Sequence, residues 1–212
     1  KATLRPYQKN GYNWLNQMND LGFGACLADD MGLGKTIQVI SFLEKMYETN
    51  KESHVLLIVP ASLLGNWSKE IDKFAPRMTY HILHGKTNIL DEDCFATITT
   101  YGMALRMECL QERVWDCLIL DEAQAIKNPG TKQTRAIKKI PSQMRIAMTG
   151  TPIENDLSNL WSLFDFLNKG LLGSATDFKN YTKKVQTYPE YMSKLKMMVS
   201  PFILRRLKTD KS

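Results

Sequence analysis

The 212-residue sequence lacks the usual marks of membrane and secreted proteins. It has no apolar run of about eighteen residues and no signal peptide, so neither a membrane span nor secretion is predicted. Its cysteines form no C-x-x-C pair, and we expect buried free thiols in a reducing compartment. They are Cys26, Cys94, Cys109 and Cys117. The chain opens at Lys1 rather than Met, from which we expect a fragment of a longer protein.

Histidine is also scarce, with three residues in the chain. His81 and His84 lie in one strand-like run at an odd spacing, which would direct them to opposite faces of a strand. We therefore expect no metal site built from histidine. The sequence also contains no internal repeat and no low-complexity tract.

The overall composition is that of a soluble globular protein, with 43% hydrophobic and 24% charged residues. The length suits one α/β domain with a small helical appendage. A net charge of +6, from 28 Lys and Arg against 22 Asp and Glu, favours a polyanionic partner. Basic residues cluster on one predicted helix and near the end of the chain, although each cluster could equally be a solvated face. The clusters contain Lys127, Lys132, Arg135, Lys138, Lys139, Arg205, Arg206 and Lys208.

The sequence DDMGLGKT at residues 29–36 predicts a phosphate-binding loop between a strand and a helix. Residues 24–28 form a short apolar run, and apolar residues recur at helical spacing after the loop. The two glycines would allow positive φ and let an anion approach backbone N–H groups. The lysine would contact β- and γ-phosphates, and the threonine hydroxyl would hold Mg²⁺. Asp29 stands where the usual pattern has its first glycine, so a chance turn at a helix start is the alternative.

A second motif supports a nucleotide site. Residues 115–120 form an apolar run that ends in Asp121 and Glu122, two carboxylates at the tip of a predicted buried strand. In a nucleotide site one such acid can hold the metal and the other can orient water. Two acids after a strand could also be a plain helix start, but both motifs in this order make coincidence improbable.

Strand-like runs alternate with helical patterns along most of the chain, which predicts a mainly parallel sheet with helices on both faces. These runs lie near residues 24–28, 54–59, 79–83, 95–99, 115–120 and 144–149. Ligands of such a sheet bind at the carboxyl ends of the strands, where both motifs fall. From residue 169 to 200 the pattern becomes basic and helical, broken at Pro189, and indicates an addition beside the sheet.

Several junctions between strands and helices carry polar side chains that allow two interpretations. Ser62 and the hydroxyls of residues 99–101 could cap helices, or the backbone N–H groups at these helix starts could hold phosphates. A small-residue turn at 148–152 closes a further strand. Gln8 could present its amide to a base edge or simply be exposed at a helix start. Asn155 or Asp156 is the expected cap of the next helix.

The order of these motifs resembles the first motor lobe of superfamily-two helicase-like ATPases, and within them the SWI/SNF family, with the bacterial branch as the finer match. The matching segments are LRPYQ, DDMGLGKT, VPASLLGNW, ITTYG, LILDEAQAIKN, MTGTPIEN, LWSLFDFL and PFILRRLK. The resemblance implies a RecA-like P-loop lobe over residues 1–168, with a helical appendage and connector over residues 169–212. A bacterial protein would be cytoplasmic and associated with the nucleoid, and a eukaryotic one nuclear.

The resemblance implies ATP and Mg²⁺ as cofactors. It implies that Gln8 meets adenine, that Asp121 binds Mg²⁺ through water together with Thr36, and that Glu122 orients the attacking water. The loop residues expected at the nucleotide are Asp30, Met31, Gly32, Leu33, Gly34, Lys35 and Thr36. Gln124 stands where many relatives have the histidine of DEAH, so the resemblance leaves open how the γ-phosphate is linked to the turn at residues 149–151.

The resemblance also implies double-stranded DNA as a partner, with a DNA-bound protein that is displaced and a second lobe of the same polypeptide. Residues expected to face DNA phosphates, or to couple DNA to ATP, are Ser62, Thr99, Thr100, Tyr101, Thr149, Gly150 and Thr151. Lys127, from the basic helix, is a further expected DNA contact. Because relatives receive their arginine finger from the second lobe, we expect this lobe alone to be nearly inactive.

Two other functions compete with a DNA translocase. A strand-separating or RNA-directed helicase is disfavoured by the SWI/SNF-like segments at residues 60–67 and 201–208. A nucleotide-gated binding module without turnover is disfavoured because the chain keeps both Lys35 and Glu122, and a pure binding module needs no acid to orient water.

Overall fold

A computed structural model describes residues 3–30, 32–86, 89–150 and 156–207. Seven strands are present in the described residues: β1 Ala25–Leu27, β2 Val55–Val59, β3 Tyr80–Leu83, β4 Ala96–Thr100, β5 Trp115–Leu120, β6 Ser142–Met148 and β7 Ile203–Leu204. The helices are α1 Pro6–Leu21, α2 Lys35–Thr49, α3 Leu64–Phe74, α4 Tyr101–Arg106, α5 Lys132–Lys138, α6 Leu157–Leu167, α7 Ala175–Thr187 and α8 Glu190–Val199. Short 3-10 turns cover Ala61–Leu63, Glu108–Gln111, Ala123–Ile126 and Ser200–Phe202.

The strands form one sheet in the order β3-β4-β2-β5-β6-β1-β7, and every recorded pair is parallel. All six predicted strands are confirmed, with ends that shift by one or two residues. Because every recorded pair is parallel, the carboxyl ends of all seven strands lie at one edge of the sheet. The loops after β1 and β5 therefore open at the same edge of the sheet, which is where a doubly wound fold binds ligands.

Helices cover both faces of the sheet, as predicted. Strand β2 shows this directly, because Leu56 and Ile58 belong to one apolar cluster while Val55, Leu57 and Val59 belong to the other. Its sequence, VLLIV, is fully buried, and a strand buried on both faces is apolar without alternation. None of the described helices is both long and apolar enough to cross a bilayer.

The carboxyl-terminal segment is more than an appendage. Helix α7 begins with a capping box between Ser174 and Asp177. The helical segment is interrupted at Pro189, directly before α8, as predicted. Phe178 and Leu195 from these helices are buried in the same apolar cluster as β5. The chain then returns to the sheet as β7 beside β1. The predicted boundary after residue 168 stays a prediction, but the residues beyond it share the core of the lobe.

Two local predictions about caps have different outcomes. Asp156 caps α6, since its Oδ1 accepts from the backbone N–H groups of Ser158 and Asn159. The predicted cap at Ser62 is wrong, because Ser62 lies inside a 3-10 turn and α3 begins at Leu64 without a side-chain cap. Ser62 is instead exposed to solvent.

The four cysteines form no disulfide in the described part of the chain, as predicted, but only two of them are buried. Cys26 and Cys117 lie inside the sheet, whereas Cys94 and Cys109 are partly exposed. Burial raises the pKa of the Cys94 thiol to about 11, and nearby Asp91 adds to this shift. Its thiol is therefore protonated at neutral pH.

Candidate nucleotide-binding site

The loop between β1 and α2 has the backbone geometry of a phosphate cradle. Gly32 has φ 84° and Gly34 has φ 80°, so both glycines adopt the left-handed conformation that the sequence predicted. Helix α2 begins at Lys35, directly after Gly34. Its first N–H groups have no partner within the helix and point towards the loop, where an anion can accept from them. Met31, another predicted loop residue, lies outside the described residues.

The loop lysine lies within the cradle. Lys35 Nζ donates to the backbone carbonyl of Asp29, at 2.8 Å. The side chain therefore folds back over the loop, and its charge is positioned where phosphate oxygens would lie in such a cradle. Leu33 contributes backbone rather than side chain, because its side chain is buried in the protein.

The acid pair follows β5 at the same edge of the sheet. Asp121 is 7% exposed, and burial raises the pKa of its carboxyl group, while the charge of Lys35 opposes that shift. Its Oδ2 accepts from the indole N–H of Trp67 at 2.8 Å, and its Oδ1 accepts from the backbone N–H of Glu122 at 2.9 Å. A divalent cation would favour the ionised carboxylate that burial disfavours. Asp121 and the Thr36 hydroxyl are the hard oxygen ligands that Mg²⁺ prefers.

Glu122 has a strained backbone. Its φ of 50° and ψ of 55° make it the one non-glycine residue with positive φ in the described part of the chain. Such a conformation costs about 1–3 kcal/mol and persists only where neighbouring groups hold it. The Tyr101 hydroxyl does so, since it donates to the Asp121 carbonyl at 2.5 Å and lies 3.4 Å from the Glu122 carbonyl.

Gln124 connects the acid to the next strand end. Its amide nitrogen donates to Glu122 Oε2 at 2.5 Å, and its amide oxygen accepts from the Thr149 hydroxyl at 3.0 Å. A glutamine amide can do both at once because it carries a donor and an acceptor. Gln124 therefore links Glu122 to Thr149, and the link from the γ-phosphate to this turn stays a prediction.

Gln8 lies against the cradle. Its amide nitrogen donates to the Leu33 carbonyl at 3.2 Å, and its amide oxygen accepts from the Arg5 N–H at 3.0 Å. A Cβ atom at Gly34 would lie 2.4 Å from that amide nitrogen. Glycine is thus required at position 34 both by φ and by the closeness of Gln8. The contact of Gln8 with adenine stays a prediction.

One cleft of about 460 Å³ brings the predicted residues together. It is lined by Gln8, Gly32, Gly34, Lys35, Thr36, Ile37, Leu63, Asn66, Glu70, Phe74, Asp121, Glu122 and Met148. The cradle and the acid pair therefore face one space, although about 85 residues separate them in the sequence.

The residues predicted to face DNA fall into two groups. Ser62, Lys127 and Gly150 are exposed, and their DNA contacts stay predictions. Residues 99–101 are buried: the Thr99 hydroxyl donates to the Leu83 carbonyl, the Thr100 hydroxyl caps α4, and Tyr101 holds the acid pair. A direct phosphate contact by these side chains would require the junction to open, whereas a coupling role would not. Thr151 lies outside the described residues.

The basic helix α5 is partly an internal structure. Lys138 forms a 3.0 Å ion pair with Asp165, and burial lowers the pKa of its ammonium group. Arg135 is exposed, but its guanidinium donates to the Gly130 carbonyl at 2.6 Å. Lys132 and Lys139 are exposed, and so is Lys127, which follows the 3-10 turn Ala123–Ile126 and does not lie on this helix as predicted. These three lysines form the solvated part of the predicted cluster.

Two functional contacts were missed from the sequence. The sequence did not predict the partner of Trp67, although a buried indole N–H nearly always finds an acceptor, and here it finds Asp121. Arg206 was predicted only as part of a basic cluster in the connector over residues 169–212. In the structure its guanidinium forms an ion pair with Asp29, the residue that replaces the first loop glycine.

A cluster of potential metal ligands also lies outside this cleft. His81, Asp91 and Cys94 have ligand atoms within 4.8 Å of one another, whereas His84 does not belong to the group. His81 Nε2 accepts from the Asp91 N–H, and Asp91 accepts from Asp93 and Cys94. His81 Nε2 and both Asp91 carboxylate oxygens therefore already have hydrogen-bond partners, whereas the buried His81 Nδ1 has none among the described residues.

The parallel sheet, the glycine-containing cradle before α2 and the acid pair after β5 define a P-loop nucleotide-binding lobe of the RecA-like type. The family model of the SNF2-related domain matches the sequence over residues 7–212, and the chain belongs to this family. The family prediction is confirmed.

Relatives and solved structures agree with this assignment. YwqA of Bacillus subtilis, named as an ATP-dependent helicase/translocase, is 45% identical over 222 residues, which cover 99% of this chain and 24% of the relative. The chromatin-remodeling ATPase ISW2 of Saccharomyces cerevisiae is 36% identical, over 98% of this chain and 20% of its own. The Sulfolobus solfataricus SWI2/SNF2 ATPase core in complex with dsDNA is 47% identical with a TM-score of 0.95, over 100% of this chain and 46% of that chain. The chain thus spans about a quarter or less of these curated relatives.

Proposed function

We propose that this chain is the ATP-binding first motor lobe of a DNA-stimulated ATPase that moves along double-stranded DNA and displaces or remodels bound proteins. The observation that carries the proposal is the single cleft in which Lys35, Asp121 and Glu122 meet. A cradle, a metal-binding acid and a water-orienting acid are the parts that one lobe supplies for phosphoryl transfer.

Each residue has a separate task in the proposed reaction. Lys35 exchanges its contact with the Asp29 carbonyl for the β- and γ-phosphates. Thr36 and Asp121 hold Mg²⁺, which neutralises charge on the phosphate oxygens when it is bound. Glu122 orients the attacking water. Gln124 connects Glu122 by hydrogen bonds to Thr149, so a movement of Glu122 is transmitted to the turn that follows Thr149.

Each of the two segments that we propose to face DNA contributes a side chain that donates a hydrogen bond to Asp121. Ser62 precedes α3, and Trp67 on that helix donates to the Asp121 carboxylate. Tyr101 begins α4, and its hydroxyl donates to the Asp121 carbonyl. A shift of either segment on DNA would move the metal-binding acid, which gives a physical route for stimulation of hydrolysis by DNA.

Double-stranded DNA and a second lobe are supported by the Sulfolobus relative, which was solved with dsDNA and is about twice as long as this chain. The second lobe would close the cleft and supply an arginine finger. Exclusion of water then strengthens the electrostatic contacts at the phosphates.

Nucleotide titrations of Lys35→Ala and Glu122→Gln test the proposal. Lys35→Ala should abolish ATP binding because it removes the cradle's strong positive charge. Glu122→Gln keeps the shape of the side chain and should leave binding nearly intact while it stops turnover in the full-length protein. Equal loss of binding in both variants would contradict these roles, and a full-length protein that binds ATP without turnover would favour a nucleotide-gated binding module.

A further inference from the structure

The segment that leaves the lobe is hydrogen-bonded to the strand that enters the phosphate cradle. β7 pairs with β1 through Cys26–Ile203 and Leu27–Leu204. The ladder continues beyond both strands, because the Ala28 N–H donates to the Leu204 carbonyl at 2.8 Å and the Asp30 N–H donates to the Arg206 carbonyl at 3.0 Å. The backbone of residues 204–206 therefore runs beside the first residues of the cradle.

The Arg206 side chain extends this contact to both ends of the cradle. Asp29, at the start, is fully buried, and it accepts from the Arg206 backbone N–H at 2.8 Å, from Nε at 3.0 Å and from Nη2. Nη2 also donates to Gln38 Oε1 at 2.6 Å. Gln38, also fully buried, donates from its amide nitrogen to the Gly34 carbonyl at 3.1 Å, at the end of the cradle.

The same guanidinium reaches the helix that carries Gln8. Arg206 Nη1 donates to the Tyr7 carbonyl on α1. Gly11 on that helix makes room for the network, since a Cβ there would lie 1.8 Å from Gln38 Oε1 and 2.9 Å from Arg206 Nη2. A glycine inside a helix costs about 0.5–1 kcal/mol relative to alanine, and this close packing accounts for its presence.

We propose that Arg206 is a positioning residue of the nucleotide site, which ties the geometry of the cradle to the position of residues 203–207. The proposal rests on the proposed nucleotide-binding function and adds a route by which contacts on the departing segment change nucleotide affinity. Asp29 is then a functional substitute for the usual first glycine, because its buried carboxylate gives the departing segment a hold on the cradle. Arg206 does not need to touch the nucleotide for this role.

Titrations with a fluorescent ADP analogue test the link in Arg206→Gln, Asp29→Asn and the double variant. Each single change should weaken binding at least about fivefold, the lower end of coupling between sites. The double variant should bind no more weakly than the weaker single variant, because both changes cut one link. Arg77→Gln removes the same charge from an exposed turn after α3 and should bind like the unchanged chain.

A purely structural role would give a different result. It would lower the melting temperature of Arg206→Gln but leave the affinity of the folded protein unchanged. All titrations are therefore made well below the melting temperature of each variant. Unchanged affinity in folded Arg206→Gln, or additive losses in the double variant, would overturn the proposal.

A pair of glycine variants tests the network without removing charge. Gly11→Ala displaces the Gln38 amide oxygen from its present position, whereas Gly65→Ala in α3 places its methyl group in open space. We expect Gly11→Ala to weaken nucleotide binding at least about fivefold, and Gly65→Ala to leave it unchanged. Equal affinities of the two variants would contradict the network's role.

Linkage requires the reverse effect as well: nucleotide must stabilise the departing segment. Saturating ADP should slow hydrogen exchange at the amides of Ala28, Asp30 and Arg206 more than at amides of β4, which report the general stabilisation by a ligand. Arg206→Gln should abolish this additional slowing of hydrogen exchange relative to the β4 amides. If the unchanged chain fails to bind ADP at all, the proposed function fails; if it binds and Lys35→Ala abolishes binding while Arg206→Gln does not change it, only this inference fails.

Discussion

Trp67→Phe should disturb the metal-binding acid from a distance, because it removes one hydrogen bond to Asp121 and little else. Trp67 is fully buried, and its Nε1 lies 2.8 Å from Asp121 Oδ2. A lost hydrogen bond to a charged group costs about 1.5–3 kcal/mol. The smaller ring adds roughly 1 kcal/mol of lost packing. A total of about 2–4 kcal/mol corresponds to a fall in melting temperature of roughly 5–15 °C for a chain of this size.

The change should also alter the pH dependence of Mg²⁺ binding. Burial raises the pKa of Asp121, and the Trp67 hydrogen bond opposes that shift, so its loss raises the pKa further. Mg²⁺ needs the deprotonated carboxylate. As the pH is lowered, the Mg²⁺-dependent nucleotide affinity of Trp67→Phe should therefore begin to fall at a higher pH than that of the unchanged chain. Titrations of ATP with and without Mg²⁺ between pH 5 and pH 8 measure the displacement.

The pH dependence of the free energy of unfolding should change in the same direction. The folded pKa of Asp121 lies above its unfolded value of 3.8, so the protonated form is favoured by folding. Its contribution to the free energy of unfolding is present below that unfolded value and is lost as pH rises through the folded pKa. In Trp67→Phe the loss should extend to higher pH. Chemical denaturation at several pH values without nucleotide measures it.

Trp115→Phe is the matched control. Trp115 is also fully buried, and its indole N–H donates to the neutral Leu110 carbonyl at 2.9 Å, away from Asp121. It should lower stability by roughly 1–3 kcal/mol, through the lost hydrogen bond and packing, without moving the pH profile of Mg²⁺ binding. The reasoning is refuted if the two variants displace that profile equally, or if Trp67→Phe leaves it in place.

Three further predictions concern the remaining parts of the site. Gln124→Ala should leave ATP affinity within about twofold but lower hydrolysis by the full-length protein about tenfold or more. The reason is that one lost hydrogen-bond link is worth about 1–2 kcal/mol. An unchanged turnover would show that Gln124 is not part of the coupling route. DNA binding should be indifferent to sequence, and Lys127→Gln should flatten the slope of log affinity against log salt by about 0.9; Lys51→Gln, in the loop before β2 at the opposite edge of the sheet, should not. The 212-residue lobe should bind ADP yet hydrolyse ATP very slowly with or without DNA, because a missing arginine finger alone is worth about 10³–10⁵ in rate; robust turnover by the lobe alone would contradict that division of labour.

The sequence predicted the features that depend on neighbours along the chain. The cradle's two positive φ values follow from its glycines, and the buried strands follow from apolar runs such as VLLIV. The acid pair could be placed at a strand end because β5 is a single apolar run. These features are local, and a parallel sheet then brings their ends together by a general rule.

The features that the sequence missed depend on contacts between distant residues. β7 has two residues, too few for a periodic pattern, and it is a strand only because β1 lies beside it. Thr99 is buried because β4 is an interior strand, and its own short sequence did not predict that position. Ser62 failed as a cap because the chain makes a 3-10 turn before α3, which shifts the helix start by one residue.

The Asp29–Arg206 ion pair shows why a departure from a motif can carry information that the motif lacks. An aspartate at the first loop position weakens the pattern if the pattern is read alone, because the usual glycine serves only to let the backbone turn. A buried carboxylate needs a partner, so Asp29 required a cation somewhere in the chain. That cation comes from Arg206, 177 residues away in the sequence. The substitution therefore exchanges a local backbone freedom for a long-range contact, and the cradle acquires a connection to the segment that leaves the lobe.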